Sequence, residues 1–169
     1  MIELNSLVLT FLQFDSPIGK LGLLYSKKGI RRLFFENEAP FIPKLKSLYP
    51  KDEIHSSTKD PHPFKKQILE YLNGERKIFS LPLDFQSSPF YTKALKEVAK
   101  IPYGETASYK DIAIRCDNPK AVRAVGSANA HNPIPLIIPC HRVLTHTGTL
   151  GGFGGGLMIK KFLLDLESQ

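Results

Sequence analysis

The residues of this chain best equipped for chemistry lie in one stretch, Asn132-Pro133-Ile134-Pro135-Leu136-Ile137-Ile138-Pro139-Cys140-His141-Arg142-Val143. Each proline locks its own φ and biases its predecessor toward β or polyproline geometry, so the run reads as a stiff, extended approach to Cys140. A thiol beside His141 and Arg142 has two candidate cationic neighbours. Positive charge lowers a thiol pKa and raises the share of thiolate, the nucleophilic form. The glycine-rich residues 147–156 would let backbone approach a ligand closely, with N–H groups free to donate. A cysteine in an apolar stretch is, however, more often an inert core residue. On an extended chain adjacent side chains point to opposite faces, so adjacency alone does not pair Cys140 with His141. A metal site drawn from Cys140, His141, His131, His146 and Cys116 matches no common zinc spacing. The expectation is no metal and no cofactor, with Cys116 a buried thiol.

These residues need elements to position them. Segments 7–14, 21–25 and 30–35 are rich in β-formers and separated by turn chemistry, Asp15-Ser16-Pro17-Ile18-Gly19 and Lys27-Lys28-Gly29, which predicts an antiparallel meander. Residues 37–61 are mixed and predict at most one short helix. Phe64, Ile68, Leu69 and Leu72 recur at helical spacing after Pro63, with Gly74 placed as a C-terminal cap. Residues 77–85 read as extended, with Pro82 pointing to an edge or linker. The boundary is set within 79–89, giving domains 1–85 and 86–169. Beyond it, Ser88 and Pro89 start a helix that carries Phe90, Ala94, Leu95 and Val98 on one face. Ser108 caps a helix to about residue 114. A second helix, 119–129, follows across Cys116-Asp117-Asn118, the connector length of a helix-turn-helix. Ile159, Phe162, Leu163 and Leu166 make a final amphipathic helix. The fold class is α+β.

Composition narrows the partner. The 169 residues are 42% hydrophobic and 10% aromatic, enough for a buried core and too much for a mainly disordered chain. A net charge of +7 suits a polyanion. The second helix of the pair carries Lys120 and Arg123, no acid, and the small residues Ala121, Ala124, Gly126 and Ser127. Small side chains permit the close approach that a minor groove about 6 Å wide demands. An alanine-rich helix packed on a neighbour is the alternative. Two cysteines make no disulfide scaffold, the first residues lack the regions of a signal peptide, and no apolar run approaches the ~18 residues of a membrane span. A cytoplasmic protein with no membrane association is expected.

Asn132-Pro133, Ile134-Pro135 and Pro139-Cys140-His141-Arg142-Val143 closely resemble the active-site signature of the methylated-DNA–protein-cysteine methyltransferases, also called O6-alkylguanine-DNA alkyltransferases. The resemblance extends through Ile101-Pro102-Tyr103-Gly104-Glu105-Thr106, Ser108-Tyr109, Asn118 through Gly126, Gly155-Gly156-Leu157 and Phe162-Leu163-Leu164, and weakly to Asp15-Ser16-Pro17-Ile18-Gly19. It implies a small N-terminal antiparallel-sheet domain of ribonuclease H-like fold and a mainly helical C-terminal domain with a winged-helix-like helix-turn-helix. It also implies a monomer that binds double-stranded DNA through the minor groove and takes the alkyl group of O6-alkylguanine, and of O4-alkylthymine, irreversibly and once.

By matching position, Cys140 is the acceptor, His141 deprotonates it through a water, and Glu167 orients His141. Asn132 is a hinge for the active-site turn, Arg123 enters the duplex as the damaged nucleotide leaves, and Tyr109 assists flipping and then meets the base. Lys120, Ala121, Ala124, Gly126 and Ser127 face DNA. Pro135, Val143, Phe153, Gly154 and Gly155 form the base pocket, where the carbonyls of Cys140 and Val143 accept from the guanine amino group and the Gly154 N–H donates toward O6. Gly154, Phe153 and Leu95 depart from the serine, tyrosine and tryptophan of some members, which bears on substrate breadth. Two other readings are a damage-binding alkyltransferase-like protein, whose kind lacks the acceptor cysteine, and a cysteine hydrolase, which needs an oxyanion hole.

Overall fold

The computed structural model describes residues 6–169. Strands β1 (Val8–Phe14), β2 (Leu21–Ser26) and β3 (Gly29–Phe34) form the expected antiparallel meander, with Leu12 opposite Leu23 and Leu23 opposite Leu33. The first turn closes through Ser16, whose Oγ donates to the Gly19 carbonyl at 2.6 Å.

Residues 37–61 hold more than the single short helix expected. That helix is α1 (Phe41–Leu48), and it is followed by β4 (Glu53–Ser57), which runs parallel to β1 and gives the order β3-β2-β1-β4. Glu-Ile-His-Ser-Ser has no apolar alternation because it is a largely exposed edge strand, held by backbone bonds to β1 rather than by side-chain burial.

The sheet is covered on both faces, which is why β2 is buried along its whole length. On one face Leu9, Phe11, Leu24 and Phe34 meet Phe41 and Leu45 of α1. On the other, Leu12, Leu23 and Leu33 meet Ile68, Tyr71 and Leu72 of α2 (Phe64–Leu72). This second cluster continues without a break into Leu95 and Val98 of α3 (Pro89–Ala99) and on to Val125 and Leu163. Each fully buried leucine contributes about 2 kcal/mol, so the two halves of the chain share one stabilising core.

Gly74, with φ of 77°, stands just past α2, where a left-handed residue ends a helix. The extended character expected for 77–85 is confined to its end. Ile30 N–H donates to the Pro82 carbonyl at 2.9 Å and Asp84 N–H to the Ile30 carbonyl at 2.7 Å, forming an isolated parallel bridge. Gly29 permits this approach, since a Cβ there would strike the Pro82 backbone.

Ser88 accepts from Tyr91 N–H at the start of α3. Ser108 and Asp111 exchange bonds of 3.0 and 2.8 Å, a capping box that starts α4 (Tyr109–Arg115). The helix ends on Asp117 at φ of 59°, with Asn118 N–H returning to the Ala113 carbonyl. Helix α5 (Val122–Ala130) begins three residues later than the expected 119. Residues 118–121 are spent on a turn closed by Ala121 N–H to the Asn118 carbonyl, which reorients the chain, so Lys120 and Ala121 precede the helix. Two short strands, β5 (Ala107–Ser108) and β6 (Val143–Leu144), pair in parallel and tie the start of α4 to the segment after Cys140. Helix α6 (Leu157–Glu167) closes the chain.

Candidate active site

The proline-punctuated approach to Cys140 is folded into turns, not extended. Ile138 N–H donates to the Ile134 carbonyl at 2.9 Å, and Leu136 sits at φ of 72°. Proline's fixed φ suits turns as well as extended chain, and here Asn132 decides between them. Its Oδ1 accepts from Ile134 N–H at 3.0 Å and its Nδ2 donates to the Ile138 carbonyl at 2.8 Å, so one side chain brackets the loop.

Cys140–Arg142 form a single 3-10 turn. With about three residues per turn, successive side chains point in three directions rather than two. Cys140 borders a cavity, while His141 and Arg142 turn inward to Glu167. His141 Nε2 lies 2.8 Å from Glu167 Oε1, and its Nδ1 is buried with no hydrogen-bond partner among the described residues. Arg142 donates to Glu167 through Nε at 2.9 Å and Nη2 at 2.8 Å, and through Nη1 to the Ile101 carbonyl at 2.6 Å.

The two cations expected beside the thiol are therefore otherwise engaged. Burial holds His141 below its usual pKa despite Glu167, so the ring is neutral near pH 7. Burial likewise pushes the Cys140 thiol up, against the opposing effects of Asn132 and Lys160. The resting group near neutral pH is therefore a thiol. The amine that favours a Cys140 thiolate is Lys160 of α6, a fully buried lysine whose own pKa burial lowers and whose Nζ donates to the Val143 carbonyl at 2.8 Å and the Gly151 carbonyl at 3.4 Å.

Two adjoining cavities of about 280 and 390 Å³ meet at Cys140 and share Asn129, Ala130, Phe153 and Gly154. The first reaches Pro135, Asn132 and the N-terminal residues Arg32 and Phe35; the second reaches Tyr109 of α4 and Gly126 of α5. Burial, and then a charged Cys140, would raise the Tyr109 pKa, which keeps this phenol protonated as a donor. Gly154 N–H donates to no other described residue.

Cys140, His141, Glu167, Asn132, Tyr109, Pro135, Phe153, Gly154 and Gly126 thus converge. Arg123 and Ser127 lie exposed on the outer face of α5, with Ala124 half-buried. Val143 and Gly155 do not line either cavity. Val143 is fully buried with its carbonyl held by Lys160, and Gly155 abuts Phe35 and Phe153. The Cys140 carbonyl accepts from Val143 N–H. Both carbonyls expected to meet a base therefore already have one partner.

Sequence reasoning missed four residues: Lys160, Tyr71, Asn129 and Gly151. A lysine at an inward position of α6, between Ile159 and Leu163, was the available signal for the first. Tyr71 donates to Glu167 Oε1 at 2.6 Å from a helix in the other half of the chain. Asn129 borders both cavities with its amide unpaired. Within residues 147–156, Gly151 makes the tightest approach, and a Cβ there would collide with the Tyr109 side chain.

Similarity to known proteins extends over both halves of the chain. Residues 9–85 match the family profile "6-O-methylguanine DNA methyltransferase, ribonuclease-like domain", and residues 89–169 match "6-O-methylguanine DNA methyltransferase, DNA binding domain". The chain is 40% identical over 154 residues to the constitutive methylated-DNA–protein-cysteine methyltransferase of Bacillus subtilis, covering 90% of this chain and 92% of that one. It is 41% identical over 160 residues to the methyltransferase of that name from Haemophilus influenzae, covering 94% and 86%. Its structure is similar to that of Mycobacterium tuberculosis OGT in complex with DNA, with a TM-score of 0.84 at 35% identity over 94% of this chain and 92% of that one.

Proposed function

Because the chain belongs to the 6-O-methylguanine DNA methyltransferase family, we propose that Cys140 is the acceptor through which it repairs DNA. The activity is direct transfer of the alkyl group from O6-alkylguanine to a cysteine of the protein, and DNA is the partner. The observation that carries the assignment of residues is the buried, unpartnered Nδ1 of His141, with Nε2 held by Glu167 and the Cys140 thiol next in sequence.

A stacked base is out of reach, so the nucleotide is flipped out at a cost of a few kcal/mol, with the exposed Arg123 filling the gap. α5 presents Gly126 and Ser127 to the minor groove, with Lys120 and Ala121 beside it. The base enters between Tyr109, Pro135 and Phe153. His141 Nδ1 takes the thiol proton through a water, and the sulfur attacks the alkyl carbon in line. The carbon–O6 bond breaks with its electron pair going to the base. Tyr109 and the Gly154 N–H, as donors, stabilise the charge that develops there. The base ends as guanine with one proton in place of the alkyl group, and the protein ends as a thioether that it cannot reverse.

Residues 1–85 act as a structural domain and 86–169 as the DNA-binding and acceptor domain of a cytoplasmic monomer; O4-alkylthymine is a further substrate. Among the described residues no helix is long and apolar enough to cross a membrane. The presence of Cys140 separates this reading from a damage-binding protein without an acceptor. The test is Cys140→Ala. It should still bind methylated duplex, with affinity falling steeply as salt rises, and transfer nothing; transfer by this variant removes Cys140 from the role.

A further inference from the structure

Among the buried titratable groups that the transfer steps leave unused, Tyr71 stands out for what it touches. It lies on α2, is fully buried, and is held between Phe79 and the edge of Tyr103. Its hydroxyl donates to Glu167 Oε1 at 2.6 Å and lies 3.2 Å from His141 Nε2. Three groups therefore share one carboxylate oxygen: the Tyr71 hydroxyl, the His141 ring and the Arg142 guanidinium.

We propose that Tyr71 is a positioning residue for alkyl transfer, setting from the N-terminal half of the chain both the direction and the base strength of His141 through Glu167. The inference rests on the transfer reading above. An ionised Glu167 accepts from Nε2–H, which leaves Nδ1 with the bare lone pair and no partner among the described residues. Tyr71 fixes Oε1 in the place where that bond is made, and it draws electron density from the same oxygen. Each competing donor weakens the carboxylate's hold on Nε2–H, and so keeps His141 from becoming a permanent imidazolium. Burial and the charge of Glu167 keep the phenol protonated far above neutral pH, so Tyr71 acts throughout as a donor and does not itself titrate.

The groups facing His141 are few. Glu167 and Lys160 come from α6, Arg142 and Cys140 from its own turn, and Tyr71 from α2, with Tyr103 behind Tyr71. Of those that touch Glu167 Oε1, Tyr71 can lose its polar atom while keeping its ring packing, without removing a charge or the nucleophile.

The experiment is the single-turnover rate of methyl transfer from duplex DNA over about pH 5 to 9, where histidine bases titrate. It compares the unaltered protein, Tyr71→Phe, the control Tyr103→Phe, and protein carrying 3-fluorotyrosine only at position 71. Losing the donor in Tyr71→Phe should move the acid limb to higher pH, by about half a unit or more, which is about a threefold loss of rate at a fixed pH on that limb. The more acidic fluorinated phenol donates more strongly and should move the limb the other way. Tyr103→Phe, which loses only a 3.3 Å bond to the Leu166 carbonyl, should leave the limb in place. Limbs that coincide for all four proteins, whatever their melting temperatures, overturn the role of Tyr71. If Tyr71→Phe does not fold, an unmoved limb with 3-fluorotyrosine does so alone. No transfer by the unaltered protein would instead sink the transfer reading itself.

Discussion

Glu167 Oε1 and His141 Nε2 lie 2.8 Å apart, joining the last turn of the final helix to the residue beside the thiol. The contact fixes which ring nitrogen is free. With Nε2–H spent on the carboxylate, Nδ1 is the nitrogen left to take the proton of Cys140 in the proposed transfer, in which Glu167 acts without touching the substrate. Glu167→Gln keeps the shape and removes the charge. It should slow methyl transfer about 100-fold, the scale of a compromised general base, while leaving DNA affinity within a factor of two or three. Single-turnover rates beside a binding titration check both halves.

The same carboxylate makes stability depend on acid. Burial pushes its pKa up, but the hydrogen bonds from His141, Arg142 and Tyr71 outweigh this, holding it at about 2 against an ordinary 4.5. A depressed carboxylate contributes stability above its unfolded pKa and loses it as pH falls through the folded one. The contribution, up to about 3 kcal/mol at 1.36 kcal/mol per pKa unit, should be complete above about pH 5 and vanish progressively toward pH 2. Melting curves should show a shallower acid decline for Glu167→Gln than for the unaltered protein. Parallel declines would mean that Glu167 is not held as the structure has it.

Lys160 should matter to the thiol. Its charge favours the Cys140 thiolate, and its Nζ holds the Val143 and Gly151 carbonyls on either side of the intervening loop. Lys160→Met fills similar volume without the charge. The pH at which iodoacetamide alkylates Cys140 should rise by about one unit, a tenfold loss of rate at fixed pH. Cys116, whose own pKa is raised mainly by burial, serves as the internal reference.

Gly151→Ala tests the placing of Tyr109. The added Cβ meets the phenol ring, which must move. Overpacking of this kind costs ~1–3 kcal/mol, so melting temperature should fall, and transfer should slow because Tyr109 walls the cavity at Cys140. Gly152→Ala, where a Cβ meets nothing, should leave the melting temperature in place.

Much of this architecture is legible in the chain itself where the cause is local. Ser88-Pro89, the Ser108–Asp111 box and Gly74 mark helix ends because their bonds span a few residues. The three-stranded meander is legible from apolar segments separated by turns. What escapes is set at long range. β4 has no apolar pattern because an edge strand needs none. The loop before Cys140 takes its shape from Asn132 bridging to Ile138, a choice that proline geometry leaves open. The inward face of α6 is Lys160, Leu163 and Glu167, not the apolar stripe alone, because each buried charge has partners brought from elsewhere in the chain. Tyr71 and Glu167 are 96 residues apart, and nothing in either neighbourhood announces the other.

The central claim is that the alkyl group ends on Cys140 and stays there. The most direct measurement is the intact mass of the protein after incubation with excess duplex carrying O6-methylguanine, followed by peptide mapping. The account predicts one added methyl in place of one hydrogen per molecule, on the peptide containing Cys140, with no methyl on Cys116. Methyl removed should equal protein added, however long the incubation. More than one lesion repaired per protein molecule, or the methyl found on any other residue, would contradict it.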